Sequence, residues 1–119
     1  MVKRLLLPGL VAVLLAAAPL SAGAEGFLAV YEDLPLAPGL AEVPGTGMAF
    51  DTPGGRIVEA YARGTIRAAE IYRFYAATLP QLGWTRESDT VYRREAEILK
   101  LGASEDGRAV LVHFTVSPE

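Results

Sequence analysis

Apolar and polar positions change their period along the chain, and the changes mark its elements. Ile71, Phe74, Tyr75, Thr78, Leu79 and Leu82 recur at steps of three and four, which predicts one buried helical face over about 66–82. Arg67, Glu70 and Arg73 lie three apart on the opposite side with alternating sign, as on a solvated helix face. Thr65 is expected to cap the helix start. At the other end Pro80 weakens the last turn, Gly83 suits the left-handed position beyond it, and Trp84 is placed to fold back on Leu79.

Elsewhere the period is two. Val110, Val112, Phe114 and Val116 alternate with Leu111, His113 and Thr115, the clearest strand signal in the chain. Met48–Asp51 and Arg56–Arg63 flank Thr52-Pro53-Gly54-Gly55 and read as a hairpin. Its second strand turns Ile57, Glu59 and Tyr61 one way and the small Val58, Ala60 and Ala62 the other, a face suited to a closely packed helix. Short strands are expected at Trp84–Glu87, Thr90–Arg94 and Glu97–Ala103, with a turn at Glu105-Asp106-Gly107. The order is strand, strand, helix, then three or four strands. It predicts an α+β two-layer sandwich, with one main helix across an antiparallel sheet.

The start of the chain follows neither period. Lys3 and Arg4 precede an apolar run, Leu5–Leu20, that ends at Ser21-Ala22-Gly23-Ala24. This reads as a secretory signal peptide over 1–24, cleaved after Ala24. Pro8 and Pro19 interrupt the run, which argues against a spanning anchor. Residues 25–46 carry Pro35, Pro38 and Pro44, so no helix runs through them. Phe27, Leu28, Val30, Tyr31, Leu34, Leu36, Leu40 and Val43 are nevertheless too apolar for a solvated tail. The segment is expected as an extended leader against a single domain over 47–119, with one short strand at Phe27–Tyr31. It is the favoured cover for the sheet face away from the helix, where Ile57, Tyr61, Leu111 and Leu99 are placed. The alternatives are a partner protein on that face, or a second copy there or at an edge strand.

Composition narrows the chemistry. The chain has 11 Lys and Arg against 14 Asp and Glu, a formal net charge of −3. Loss of the signal peptide removes Lys3 and Arg4 and deepens the acidic excess, which disfavours nucleic acid and anionic membranes as partners. There are no cysteines, so thiol catalysis, thiolate metal ligation and disulfide bracing are excluded. His113 is the only histidine and has no carboxylate near it in sequence. Glu95 and Glu97 could share a strand face as paired carboxylates, although Arg93 and Arg94 stand beside them. Glu105-Asp106 is too short for a calcium site, and the Pro53-Gly54-Gly55 turn precedes a strand rather than a helix, unlike a phosphate loop. No cofactor or metal is expected.

The stretches F-Y-x-x-x-L-P-Q-L-G-W at 74–84, Y-R-R-E at 92–95 and D-L-P-L-A-P-G-L at 33–40 together resemble a family of small exported proteins of alphaproteobacteria. The resemblance implies a Gram-negative periplasm and assigns no activity or functional residue. The resulting expectation is a periplasmic, non-catalytic adaptor that binds another envelope protein. Tyr75, Trp84, Arg93, Arg94, Tyr61 and His113 are its candidate contact residues. A small-ligand carrier, with its site between helix and sheet near Tyr75, Trp84 and Arg94, is the alternative. A hydrolase built on Glu95, Glu97 or His113 is the third reading.

Overall fold

The structure, a computed structural model, describes residues 26–119. The expected signal peptide and its cleavage point lie outside the described residues. The fold is α+β, with one helix on a mostly antiparallel sheet. The strands are β1 (Gly26–Leu28), β2 (Tyr31–Leu36), β3 (Leu40–Glu42), β4 (Met48–Thr52) and β5 (Gly55–Gly64), then β6 (Thr85–Arg86), β7 (Val91–Arg94), β8 (Glu97–Asp106) and β9 (Ala109–Pro118). Between β5 and β6 lie the helix α1 (Ala68–Thr78) and a 3-10 turn over Leu79–Leu82.

β1 and β2 form a small hairpin of their own. The main sheet runs β3-β5-β9-β8-β7-β6, with β4 also pairing β5 on the edge that β3 uses. The last strand in sequence, β9, is thus central. Its alternation explains why: Val110, Val112, Phe114 and Val116 are all buried, against a helix face of Ile71, Tyr75 and Leu79. Val58, Ala60 and Ala62 of β5 and Leu99 and Leu101 of β8 complete that floor. Leu99 therefore faces the helix layer, not the open side expected from sequence; in the β8–β9 register it lies opposite the buried Val116.

The leader departs most from expectation. It forms three strands rather than one, and it packs on the helix side of the sheet. Leu28, Tyr31, Leu34, Leu36, Ala37 and Leu40 belong to the same buried cluster as the helix. The Tyr75 hydroxyl donates to Pro35 O at 2.7 Å and accepts from Ala37 N–H at 3.2 Å. One eleven-residue helix is too narrow to cover this sheet, and the leader covers the remainder. Among the described residues no element covers the sheet's opposite face. Gly64 is where the leader meets β5 most closely, since a Cβ there would stand 2.1 Å from Gly39 O.

The helix start also differs. Thr65 is not the cap; Arg67 holds that position, and Glu70 reaches back to accept from its N–H at 3.3 Å. Glu105, from the far end of β8, accepts from Ala68 N–H at 2.7 Å and from Arg67 Nε at 3.1 Å. Those donors lower the Glu105 pKa below its ordinary value, the Ala68 N–H first and then Arg67. The helix end follows the sequence signal. Gly83 is left-handed at φ 95, and Trp84 N–H donates to Leu79 O at 3.1 Å.

Candidate functional site

The expected contact residues fall into two places on opposite sides of the sheet. The first is a polar knot where the leader hairpin meets β7 and β8. Arg94 lies with its guanidinium carbon 4.4 Å from the Trp84 ring centroid. It donates to Tyr31 Oη at 2.8 Å, to Asp33 Oδ2 at 3.2 Å and to Leu82 O at 3.0 Å. The Tyr31 hydroxyl in turn donates to Glu97 Oε1 at 2.8 Å. Arg56 binds the other Glu97 oxygen at 3.2 Å and stacks over the Tyr31 ring. Burial raises the Tyr31 pKa, and the bond to Glu97 adds to the shift. Every charged group in this knot has a partner, so the chemistry it performs is to fasten the leader to the sheet.

Two sequence readings are corrected here. Glu95 and Glu97 do not form a carboxylate pair: Glu95 sits in the β7–β8 turn at φ 53, while Glu97 is bound by Tyr31 and Arg56. Tyr75 and Trp84 do not line a site between helix and sheet, being 0% and 2% exposed within the core. Burial pushes the Tyr75 phenol well above its ordinary range. The Trp84 indole N–H is buried and has no acceptor among the described residues. The aromatic stretch 74–84 is thus a helix face and its terminating staple, with Phe74 and Tyr75 edge to face at 4.9 Å.

The second place is the open face. Tyr61 and His113 lie directly across the β5–β9 ladder, their rings stacked 4.3 Å apart and 2° from parallel. His113 Nε2 is 2.7 Å from Glu59 Oε2. Glu59 is 54 residues from His113 in sequence, so no local signal pairs the two. The period of two had already put Glu59 and Tyr61 on one face, but only the β5–β9 register brings them to the histidine. The His113 ring reaches Glu59 on β5. Gly102, opposite His113 on β8, adds no side chain, and a Cβ there would meet nothing within 4 Å. A shallow depression of about 360 Å³ results, bordered by Val91, Lys100, Gly102, His113 and Thr115.

Around this stack the face is mixed. Phe50 and Met48 of β4 stand opposite Ile57 and Glu59, so they share its side; they are 51% and 49% exposed. Leu111, opposite Arg63, is 41% exposed. Arg93, at the far strand, is held by Glu87 at 2.5 Å and by Glu119 at 2.8 Å. Among the described residues no group of three or more His, Asp or Glu side chains is placed to hold a metal ion. The His113–Glu59 pair is partly exposed, with His113 at the border of this depression. Comparison of the chain with protein-family models, with curated proteins and with solved structures yields no match in any of the three.

Proposed function

We propose that the protein is a non-catalytic periplasmic accessory protein that binds another envelope protein through the open face of its sheet. One observation carries this reading. The helix and leader fill one side of the sheet, whereas the other side exposes Met48, Phe50 and Leu111 around the Tyr61–His113 stack. Exposed large apolar groups set around aromatic rings on one face, with polar residues among them, favour a protein-contact surface. Stacked aromatic rings, rigid and amphipathic, are what interface centres are rich in. A carrier with its ligand between helix and sheet has less support, because Tyr75 and Trp84 are packed there.

The test is photo-crosslinking in intact cells, with the reactive residue at Leu111 or, as a control, at Arg73 on the outer face of α1. One envelope protein captured from Leu111 and not from Arg73 is expected, together with recovery of the chain from the periplasmic fraction beginning after Ala24. Capture of nothing at Leu111, or of the same mixture from both positions, would overturn the reading.

A further inference from the structure

The edges of the main sheet are unequally protected. β3 has three residues and β6 two, too short to template another strand. Past the end of β7, the outer edge of β8 is occupied: Leu101 N–H donates to Thr90 O, and Ala103 N–H donates to the Tyr72 hydroxyl of α1 at 2.9 Å. β4 is different. It has five residues, contains no proline, is unbroken in register against β5 and is exposed along nearly its whole length. Natural sheets usually guard such an edge with charge, proline or a bulge.

The register tells which groups are free. A two-residue loop, Pro53-Gly54, joins β4 to β5, so Thr52 and Gly55 form the closing hydrogen-bonded pair. Alternation then makes Phe50–Ile57 and Met48–Glu59 hydrogen-bonded pairs, and Ala49–Val58 and Asp51–Arg56 the others. The N–H and C=O groups of Ala49 and Asp51 therefore point away from β5. The same parity holds further along β5, where Tyr61 N–H and C=O face the leader edge and bond Thr46 Oγ1 and Val43 N–H.

We infer that β4 is the docking edge for an extended segment of the partner protein, which joins the sheet as a further strand and carries basic residues beside Asp51. This rests on the adaptor reading and names how the partner binds. An added strand can take over from water the outward backbone donors and acceptors of this exposed edge, and Phe50 and Met48 supply apolar neighbours for its alternate side chains. Charge selects the segment. Among the described residues Asp51 has no ion pair, nor has Glu32 of the neighbouring leader hairpin; the adjacent Arg56 is taken by Glu97. A second copy is the wrong occupant electrostatically. Antiparallel pairing of two β4 strands about Phe50 would bring the two Asp51 side chains diagonally together, in a chain of net charge −3.

The experiment measures amide hydrogen exchange in the full chain with a synthetic peptide of alternating valine and lysine, or its valine and glutamate counterpart. The lysine peptide is expected to slow exchange at the Ala49 and Asp51 amides by roughly tenfold, and the glutamate peptide to leave them unchanged. Ala49→Pro deletes an outward N–H without touching the β5 ladder, and should abolish the effect at Asp51. Should that variant not fold, Asp51→Lys serves instead and should reverse the peptide preference. Unchanged amides with both peptides, or equal slowing by both, overturn the proposal. So does protection that grows with protein concentration alone, which would mean self-pairing. The adaptor reading is separated by crosslinking: capture from Leu111 that persists in Ala49→Pro defeats strand addition and leaves that reading standing. Absence of capture in both proteins defeats the reading itself.

Discussion

The two faces of the main sheet come from the same strands, at alternate residues, yet they differ in almost every physical respect. On the helix side, Val58, Ala60, Val112, Phe114 and Leu101 are essentially sealed from water. Bonds from side chain to backbone, such as those of Tyr75, tie the leader across them. On the open side, Tyr61 stacks on His113, Glu59 holds the imidazole, and Phe50, Met48 and Leu111 remain in solvent. The first face obtains its free energy from apolar burial, which is the dominant stabilising term in folding. The second obtains little, because surface pairs contribute roughly 0–1 kcal/mol each. Stability and recognition are thus divided between the two sides of one sheet, and a substitution should act on one or the other according to its parity in the strand.

The sharpest test uses neighbours on β9. Phe114→Ala should cost about 3–5 kcal/mol by opening a core cavity, whereas Leu111→Ala should stay within about 0.5 kcal/mol, both read from urea unfolding midpoints. Similar losses at the two positions would mean that the open face is covered and the comparison is false. Next in size is Tyr75→Phe. It leaves Pro35 C=O and Ala37 N–H buried without their partner, at about 1–3 kcal/mol, and should raise hydrogen exchange at Ala37 more than in the sheet. An unchanged midpoint would show that the leader does not belong to the sealed face.

The smallest effect concerns pH. The Glu105 carboxylate is held below its ordinary pKa of 4.5 by the Ala68 N–H and Arg67. Its contribution is present above that ordinary value and is lost as pH falls through the lowered one. Wild type should therefore lose slightly more stability than Glu105→Gln between about pH 5 and about pH 3, followed by the helical circular-dichroism signal. Equal slopes would remove Glu105 from the helix cap. Leu111→Ala should retain the wild-type slope.

The residues legible in advance were those whose signal is local. The helix face, the Gly83 terminus with its Trp84 staple, the hairpin at Pro53-Gly54 and the alternation of β9 all rest on neighbours within a few positions. What sequence reading missed depends on distant partners. Leu99 lies on the buried face, not the open one the sequence suggests, since its strand has weak alternation and takes its parity from β9. Thr65 is the locally suggested cap, but the acceptor for Ala68 N–H is Glu105, supplied from 37 residues away. Of the candidate site, Tyr61 and His113 were named separately, but their stack, and Glu59 beside it, follow from register alone.

The amino-acid order by itself determined that this chain makes one helix on an antiparallel sheet, because backbone sterics and period require nothing beyond nearest neighbours. It also determined that the chain has no thiol chemistry, since it contains no cysteine. Only the tertiary structure decided which side of the sheet the leader would seal. Both sides carry apolar groups in the sequence. The choice fell to the side where one helix left part of a large apolar floor exposed, and where Arg94 and Tyr75 could meet the leader's polar groups.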